Sequence, residues 1–182
     1  MLSHELELTL RKALTIATEN NHEYATYEHL LLALTDDVNA TNIFQENGII
    51  IDSLKEKLNH YLKQDLIELV DKNHGEAKPT AGFQRIIQRA ALHSQASGHK
   101  IINGTHVLAE FFFEHEAYAL LCLRESGLSR QDVLNYIKTK EAPDTNNLSK
   151  DQISQITLLD NQVKLDEKKK AEHQDIHSEG EA

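Results

Sequence analysis

Thr26-Tyr27-Glu28-His29-Leu30-Leu31-Leu32-Ala33-Leu34 is the stretch on which the reading of this chain turns. Threonine is a favoured helix N-cap, and an apolar run follows it directly. The spacing predicts a helix over 27–35 with Leu30, Leu31 and Leu34 facing inward. Glu28 lies in its first turn, where the helix dipole favours a negative charge.

Helical spacing extends outward in both directions. On the N-terminal side Ser3 is a good N-cap for a first helix, with Glu5 and Glu7 in its first turn and an apolar stripe of Leu6, Leu10, Ala13, Leu14 and Ala17. A polar turn, Asn20-Asn21-His22-Glu23, separates the two helices. On the C-terminal side a short helix is expected over 39–46. It ends at Asn47-Gly48, where glycine supplies a left-handed stop. Asp52 is placed to cap a fourth helix carrying Leu54, Leu58, Tyr61 and Leu62. Residues 65–79 are polar and poorly periodic, and read as a linker inside the domain.

The pattern then restarts. With an offset of 77 residues, Leu6 falls on Phe83, Leu10 on Ile87, Ala13 on Ala90, His22 on His99, Thr26 on Asn103 and His29 on His106. Leu30 and Leu31 fall on Val107 and Leu108. Further on, Glu46-Asn47-Gly48-Ile49 matches Glu125-Ser126-Gly127-Leu128, and Ser129 with Asp132 forms a capping-box pattern for the last helix. Caps, stops and apolar positions recur in one order, which points to an internal duplication. The expected fold is all-α: two tandem pseudo-symmetric four-helix repeats packed as one domain over 1–140, with repeat 1 over about 1–64, an inner linker at 65–79 and repeat 2 over about 80–140. A single four-helix unit buries its apolar faces poorly. Two units share a core and leave a groove along their pseudo-symmetry axis, a natural binding place. From 141 to 182 polar residues dominate, with Ile153, Ile156, Leu158, Leu159, Val163 and Leu165 sparsely spaced. This reads as a linker or tail with one fraying helix, from a chain that continued or was cut within a linker.

Composition agrees with helices: two Pro, seven Gly and no Trp. The formal net charge of −10 disfavours direct nucleic-acid binding. The single cysteine, Cys122, sits in an apolar run and reads as a core thiol, which excludes an internal disulfide framework. No run of about 20 apolar residues suggests a membrane span, and the N-terminus lacks signal-peptide features, so cytoplasm is the default compartment. No phosphate loop, Gly-x-Ser-x-Gly elbow or His-Glu-x-x-His motif is present, so neither ATP binding nor another cofactor is expected of this chain, and no catalytic residue is assigned. Eleven His residues raise a metal reading. Without a cysteine pair or a His pair one helical turn apart, no dedicated metal site is expected, and His22 with Glu23 reads as a solvated turn open at most to an adventitious ion. His29 and His106 read as partly buried, hydrogen-bonded histidines, and Glu110 with Glu114 as a solvated face. Glu23 and Glu28 flank one short turn. They either stabilise helix ends or present two carboxylates to a basic partner.

The motif at residues 26–34 resembles the signature of the Clp N-terminal domain, a tandem repeat of two four-helix units that opens the Clp unfoldases. Pro79-Thr80-Ala81-Gly82-Phe83-Gln84-Arg85-Ile86-Ile87-Gln88-Arg89-Ala90, the start Met1-Leu2-Ser3-His4-Glu5-Leu6-Glu7-Leu8, and Asn21-His22-Glu23 are similar to the ClpA branch. The resemblance covers about residues 1–140. It implies an adaptor- and substrate-docking role, with the adaptor ClpS and protein substrates as partners and the ClpP peptidase reached only through the full-length family member. It implies Glu23, Glu28, Thr80 and Arg85 as adaptor-binding residues. It also implies no enzymatic activity in this chain, and a monomer. In the related ClpC branch both repeats carry a glutamate at the start of the second helix and bind phosphoarginine. Here the second-repeat position is Thr105, which favours the ClpA branch. The alternative role is a free-standing regulator, an anti-adaptor competing for ClpS.

Overall fold

A computed structural model describes residues 1–67, 70–71, 75–141, 158–159 and 161–169. Helix α1, His4–Glu19, is capped by Ser3, whose hydroxyl accepts from the Leu6 amide at 3.0 Å. A two-residue strand β1, Tyr24–Ala25, leads into α2, Tyr27–Leu34. Helix α3, Val38–Glu46, starts one residue earlier than its polarity suggests, because the Asp37 carboxylate caps it by accepting from the Asn39 and Ala40 amides. Helix α4 is Ile51–Gln64; Ile50 holds the N-cap position, and Asp52 lies in the first turn instead. Strand β2, Lys78–Pro79, precedes α5, Ala81–Ala96, and α6, Gly104–Glu110. A 3-10 turn at Phe111–Phe113 leads to α7, Tyr118–Glu125, and α8, Arg130–Lys140, the last capped by the reciprocal Ser129–Asp132 box. Gly48 and Gly127 both stop their helices at positive φ, 68° and 92°.

The duplication is visible in the backbone. The segment entering the first helix of each repeat pairs with the turn entering the second helix of the other repeat. Thr80 N–H donates to the Ala25 carbonyl at 3.0 Å, and Ser3 N–H donates to the Ile102 carbonyl at 2.8 Å. Lys78 N–H reaches the Glu23 carbonyl, and the Met1 ammonium reaches the Lys100 carbonyl. Each pair of bonds maps onto the other with the 77-residue offset. The stretch 65–79 therefore does more than connect: β2 pairs in parallel with β1, and Leu66 and Ala77 are buried.

One core runs through both repeats. Leu6, Leu30, Leu31, Leu34, Phe44, Ile86, Leu108, Phe111 and Leu120 are fully enclosed, and Cys122 is buried among them. Burial pushes its thiol pKa up, so it is a packing residue. Residues 161–169 are helical with Val163 buried, while Ile153 and Ile156 lie outside the described residues. Among the described residues no helix is long and apolar enough to cross a membrane.

Each repeat has a histidine pair at the start of its second helix. In repeat 1 the Thr26 amide donates to His29 Nδ1 at 2.9 Å, closing a capping box. That bond leaves the His29 proton on Nε2, which donates to His22 Nδ1 at 2.9 Å. In repeat 2 the Asn103 amide donates to His106 Nδ1 at 3.1 Å. Burial, with His22 beside it, lowers His29 to about 3; burial, with His99 and His93 nearby, lowers His106 to about 3. Both are hydrogen-bonded, as expected from the sequence, and both are buried caps where partial burial was expected. His22 does not fit the solvated-turn reading: it is 2 % exposed and bonded to His29, so it offers no surface metal ligand.

Candidate protein-docking surface

The pseudo-two-fold generates two faces where the repeats meet, and the side chains on them differ. The first surrounds the β1–β2 pairing. Glu23 and Tyr24 are exposed beside β2. Thr80 accepts from the Phe83 amide at 3.2 Å and caps α5. One turn on, Arg85 projects from α5 with its side chain about half exposed. Its Nε and Nη2 each sit 2.8 Å from a different Glu114 oxygen, and Nη2 also donates to the Tyr27 hydroxyl at 2.8 Å. Tyr27 in turn donates to Glu114 at 2.8 Å. The structure thus brings Glu23, Thr80 and Arg85 to one seam.

Glu28 is not on that seam. It is 4 % exposed and points into the junction of α2, α4 and α7, toward the Ala119 amide and the Tyr61 hydroxyl. Its Oε2 has no hydrogen-bond partner among the described residues. Burial pushes its pKa up to about 7 against the lowering effect of those two donors. Of the two carboxylates expected to face outward together, only Glu23 does. Helix α2 is buried on all sides from Glu28 to Leu34, so position 28 has no outward face to take.

The solvated face expected at Glu110 and Glu114 is also corrected. Glu110 is 1 % exposed and Glu114 8 %. Arg89 bridges them, with Nε 3.0 Å from Glu110 and Nη2 2.8 Å from Glu114, and His93 Nδ1 lies 3.0 Å from Glu110. The Arg89 guanidinium also stacks 4.6 Å from the Phe113 ring centre. Burial would raise Glu114, but hydrogen bonds from Arg85, Tyr27 and Arg89 outweigh it and hold the carboxyl at about 2. The missed signal was in the sequence: Arg85, Arg89 and His93 stand at i, i+4, i+8 on one helix, matching the one-turn spacing of Glu110 and Glu114.

The second face is related to the first by the same offset. Leu8 stands where Arg85 does, and Ile101 where Tyr24 does. Leu8, Val38 and Ile101 are each about half exposed. They line two adjoining clefts of about 240 and 310 Å³ that share Glu5 and Val38. One face is therefore a hydrogen-bonded, charged seam and the other a groove in which Leu8, Val38 and Ile101 are uncovered, with Glu5 and Glu141 at one end and the Lys12–Asp36 ion pair at the other. Among the described residues no group of three His, Cys, Asp or Glu side chains is placed to hold a metal ion.

The family model described as the Clp repeat (R) N-terminal domain matches residues 1–126. The chain belongs to this family. A ClpA homolog protein of Fuscovulum blasticum is 41 % identical over 143 residues, which cover 78 % of this chain and 18 % of the relative. The chain thus spans less than a fifth of that protein's length. Among solved structures, the N-domain of ClpV from Vibrio cholerae superposes with a TM-score of 0.64 at 16 % identity, covering 79 % of this chain and 87 % of that one. A second, a complex of the ClpV N-domain with a VipB peptide, gives a TM-score of 0.57 at 17 % identity, covering 76 % and 85 %. The Clp N-terminal domain is a protein-interaction domain, and its fold here is the all-α double repeat read from the sequence.

Proposed function

We propose that this Clp N-terminal domain, spanning about residues 1–140, docks protein partners for a ClpA-like, ATP-driven unfoldase that feeds the ClpP peptidase in the cytoplasm. The observation that carries this reading is the inequality of the two seam faces. A duplicated fold would give two alike surfaces, but this one pairs a charged seam with an apolar groove, so two kinds of partner can be held.

The charged seam is the site for the adaptor ClpS. Glu23 offers a carboxylate to a basic group, and Arg85 offers an exposed guanidinium edge already oriented by Glu114 and Tyr27. Thr80 sets where α5 begins and so where Arg85 stands. Glu28 supports the seam from beneath, through the packing of α2 on α4 and α7. The apolar groove at Leu8, Val38 and Ile101 takes exposed apolar segments of substrates. The peptide carried by the ClpV N-domain, a protein of the same fold, supports such use.

Titration calorimetry with ClpS tests the first assignment. Glu23→Lys reverses the sign of one contact and Arg85→Ala removes another, and each is expected to weaken binding about tenfold or more. Unchanged affinity in both variants refutes the seam as the adaptor site.

A further inference from the structure

The larger cleft of the apolar face ends at an unusual carboxylate. Glu141 is the C-cap of α8. Its backbone carbonyl lies 2.6 Å from His99 Nε2, which donates to it. Its Oε2 accepts from Asn103 Nδ2 at 3.2 Å and lies 2.7 Å from the Thr105 hydroxyl, whose single proton it shares with Asn103 Oδ1 at 2.5 Å. Among the described residues no hydrogen bond reaches Oε1. The clasp ties the end of α8 to the start of α6, and one carboxylate oxygen is left for something else.

Glu141 shares this cleft with two aliphatic side chains, one further carboxylate and the polar side chains of Ser3, Asn39 and Asn103. Val38 and Ile101 are 55 % and 51 % exposed, and Glu5 is exposed beside them. Among the described residues that line the cleft, none is a lysine or arginine. Two carboxylates beside two uncovered aliphatic side chains complement a cation next to an aliphatic group. Because Glu141 is already fixed by Thr105 and Asn103, orienting it costs a partner little conformational entropy.

We propose that this cleft recognises a lysine or arginine flanked by an aliphatic residue in a docked protein segment, the aliphatic side chain covering Val38 and Ile101 and the cation sitting between Glu5 and Glu141. The inference rests on the apolar face being a docking groove and names its specificity. It also carries a consequence for regulation. The residue that senses the cation is also the residue that ends α8. Occupancy therefore strengthens the clasp, and a clasp already formed favours occupancy by the same factor.

The test uses the full chain and two capped peptides of about ten residues, one with a central Leu-Lys-Leu and one with Leu-Gln-Leu, followed by fluorescence anisotropy. The wild-type chain is expected to prefer the lysine peptide about three- to tenfold at low salt, as a partly exposed ion pair would give. The preference shrinks as salt rises. Glu141→Gln and Thr105→Val each erase it while leaving the glutamine peptide's affinity in place, and Thr105→Ser, which keeps the donor, restores it. Equal affinity for the two peptides, or a preference that survives Glu141→Gln, overturns the proposal. Val38→Asp separates this from the groove itself. If it abolishes binding of both peptides the groove stands whatever the specificity. If it changes nothing, or if the wild-type chain binds neither peptide, the groove reading falls and the proposal with it.

Discussion

Replacing Glu28 with Gln should make the domain more stable at alkaline pH and leave it nearly unchanged at acid pH. In the folded chain burial holds the Glu28 carboxyl at about 7, against an ordinary value of 4.5. Below pH 4.5 it is protonated in both folded and unfolded states and contributes no difference. Between pH 4.5 and 7 the unfolded chain has lost this proton while the folded chain keeps it. The native state then binds more protons, and stability falls as pH rises. The full loss corresponds to about 3 kcal/mol by pH 8, at about 1.36 kcal/mol for each tenfold step in proton affinity. Glutamine has the same shape and never ionises. The stability difference between Glu28→Gln and wild type should thus grow from near zero at pH 4 to about 3 kcal/mol at pH 8, in favour of the variant. The low-pH charging of His29 and His106, held near 3 in the fold, is present in both proteins and cancels in the difference. Urea unfolding at a series of pH values from 4 to 8.5 gives the two curves directly. A difference independent of pH, or a variant less stable at pH 8, refutes the inward placement of this carboxyl.

Two further outcomes follow from the charged seam. Gly82→Ala puts a methyl group against the Tyr27 hydroxyl, which Arg85 and Glu114 pin in place. A loss of about 1–3 kcal/mol is expected from such overpacking, read as a lower thermal midpoint; an unchanged midpoint refutes the close approach of α5 to α2. Glu114→Gln removes the charge that Arg85 and Arg89 share. The expected loss is about 2 kcal/mol at pH 7, discounted because Arg85 is half exposed. Since Glu114 is held at about 2, the wild-type advantage is present above pH 4.5 and vanishes as pH falls toward 2. Urea midpoints at pH 7 and pH 2.5 decide it.

The fold was legible because helix caps, glycine stops and apolar periods are local signals, and they came twice. Ser3, Thr26, Gly48, Asn103, Gly127 and Ser129 mark real helix boundaries, and Leu30, Leu31 and Leu34 are all enclosed. The site was half legible. From the start of α5 alone Thr80 reads as an N-cap and Arg85 as a surface charge, and only the family resemblance points to them as docking residues; the inward turn of Glu28 depends on where α4 and α7 pack, and those contacts join distant parts of the chain. The same reason hid Glu110 and Glu114. Their spacing fits a solvated face as well as a buried one, and only the stripe of Arg85, Arg89 and His93 on a facing helix selects the second.

The duplication and the function meet where the two-fold fails. Backbone hydrogen bonds keep the symmetry, because both repeats need the same cross-pairing to close the body. Side chains at matched positions are free to diverge once the backbone is secured. Arg85 opposite Leu8, Tyr24 opposite Ile101, and Glu28 opposite Thr105 are such divergences. The last is instructive: Thr105 cannot supply a carboxylate, and Glu141 brings one to it from the end of α8. A chain with Glu at position 105 would set two carboxylates against each other there and release the clasp. Thr105→Glu should therefore loosen the end of α8, seen as faster amide exchange at Ile137 and Glu141, while the Thr26–His29 cap in the other repeat exchanges as before. Unaltered exchange at α8 would mean that the clasp does not hold it.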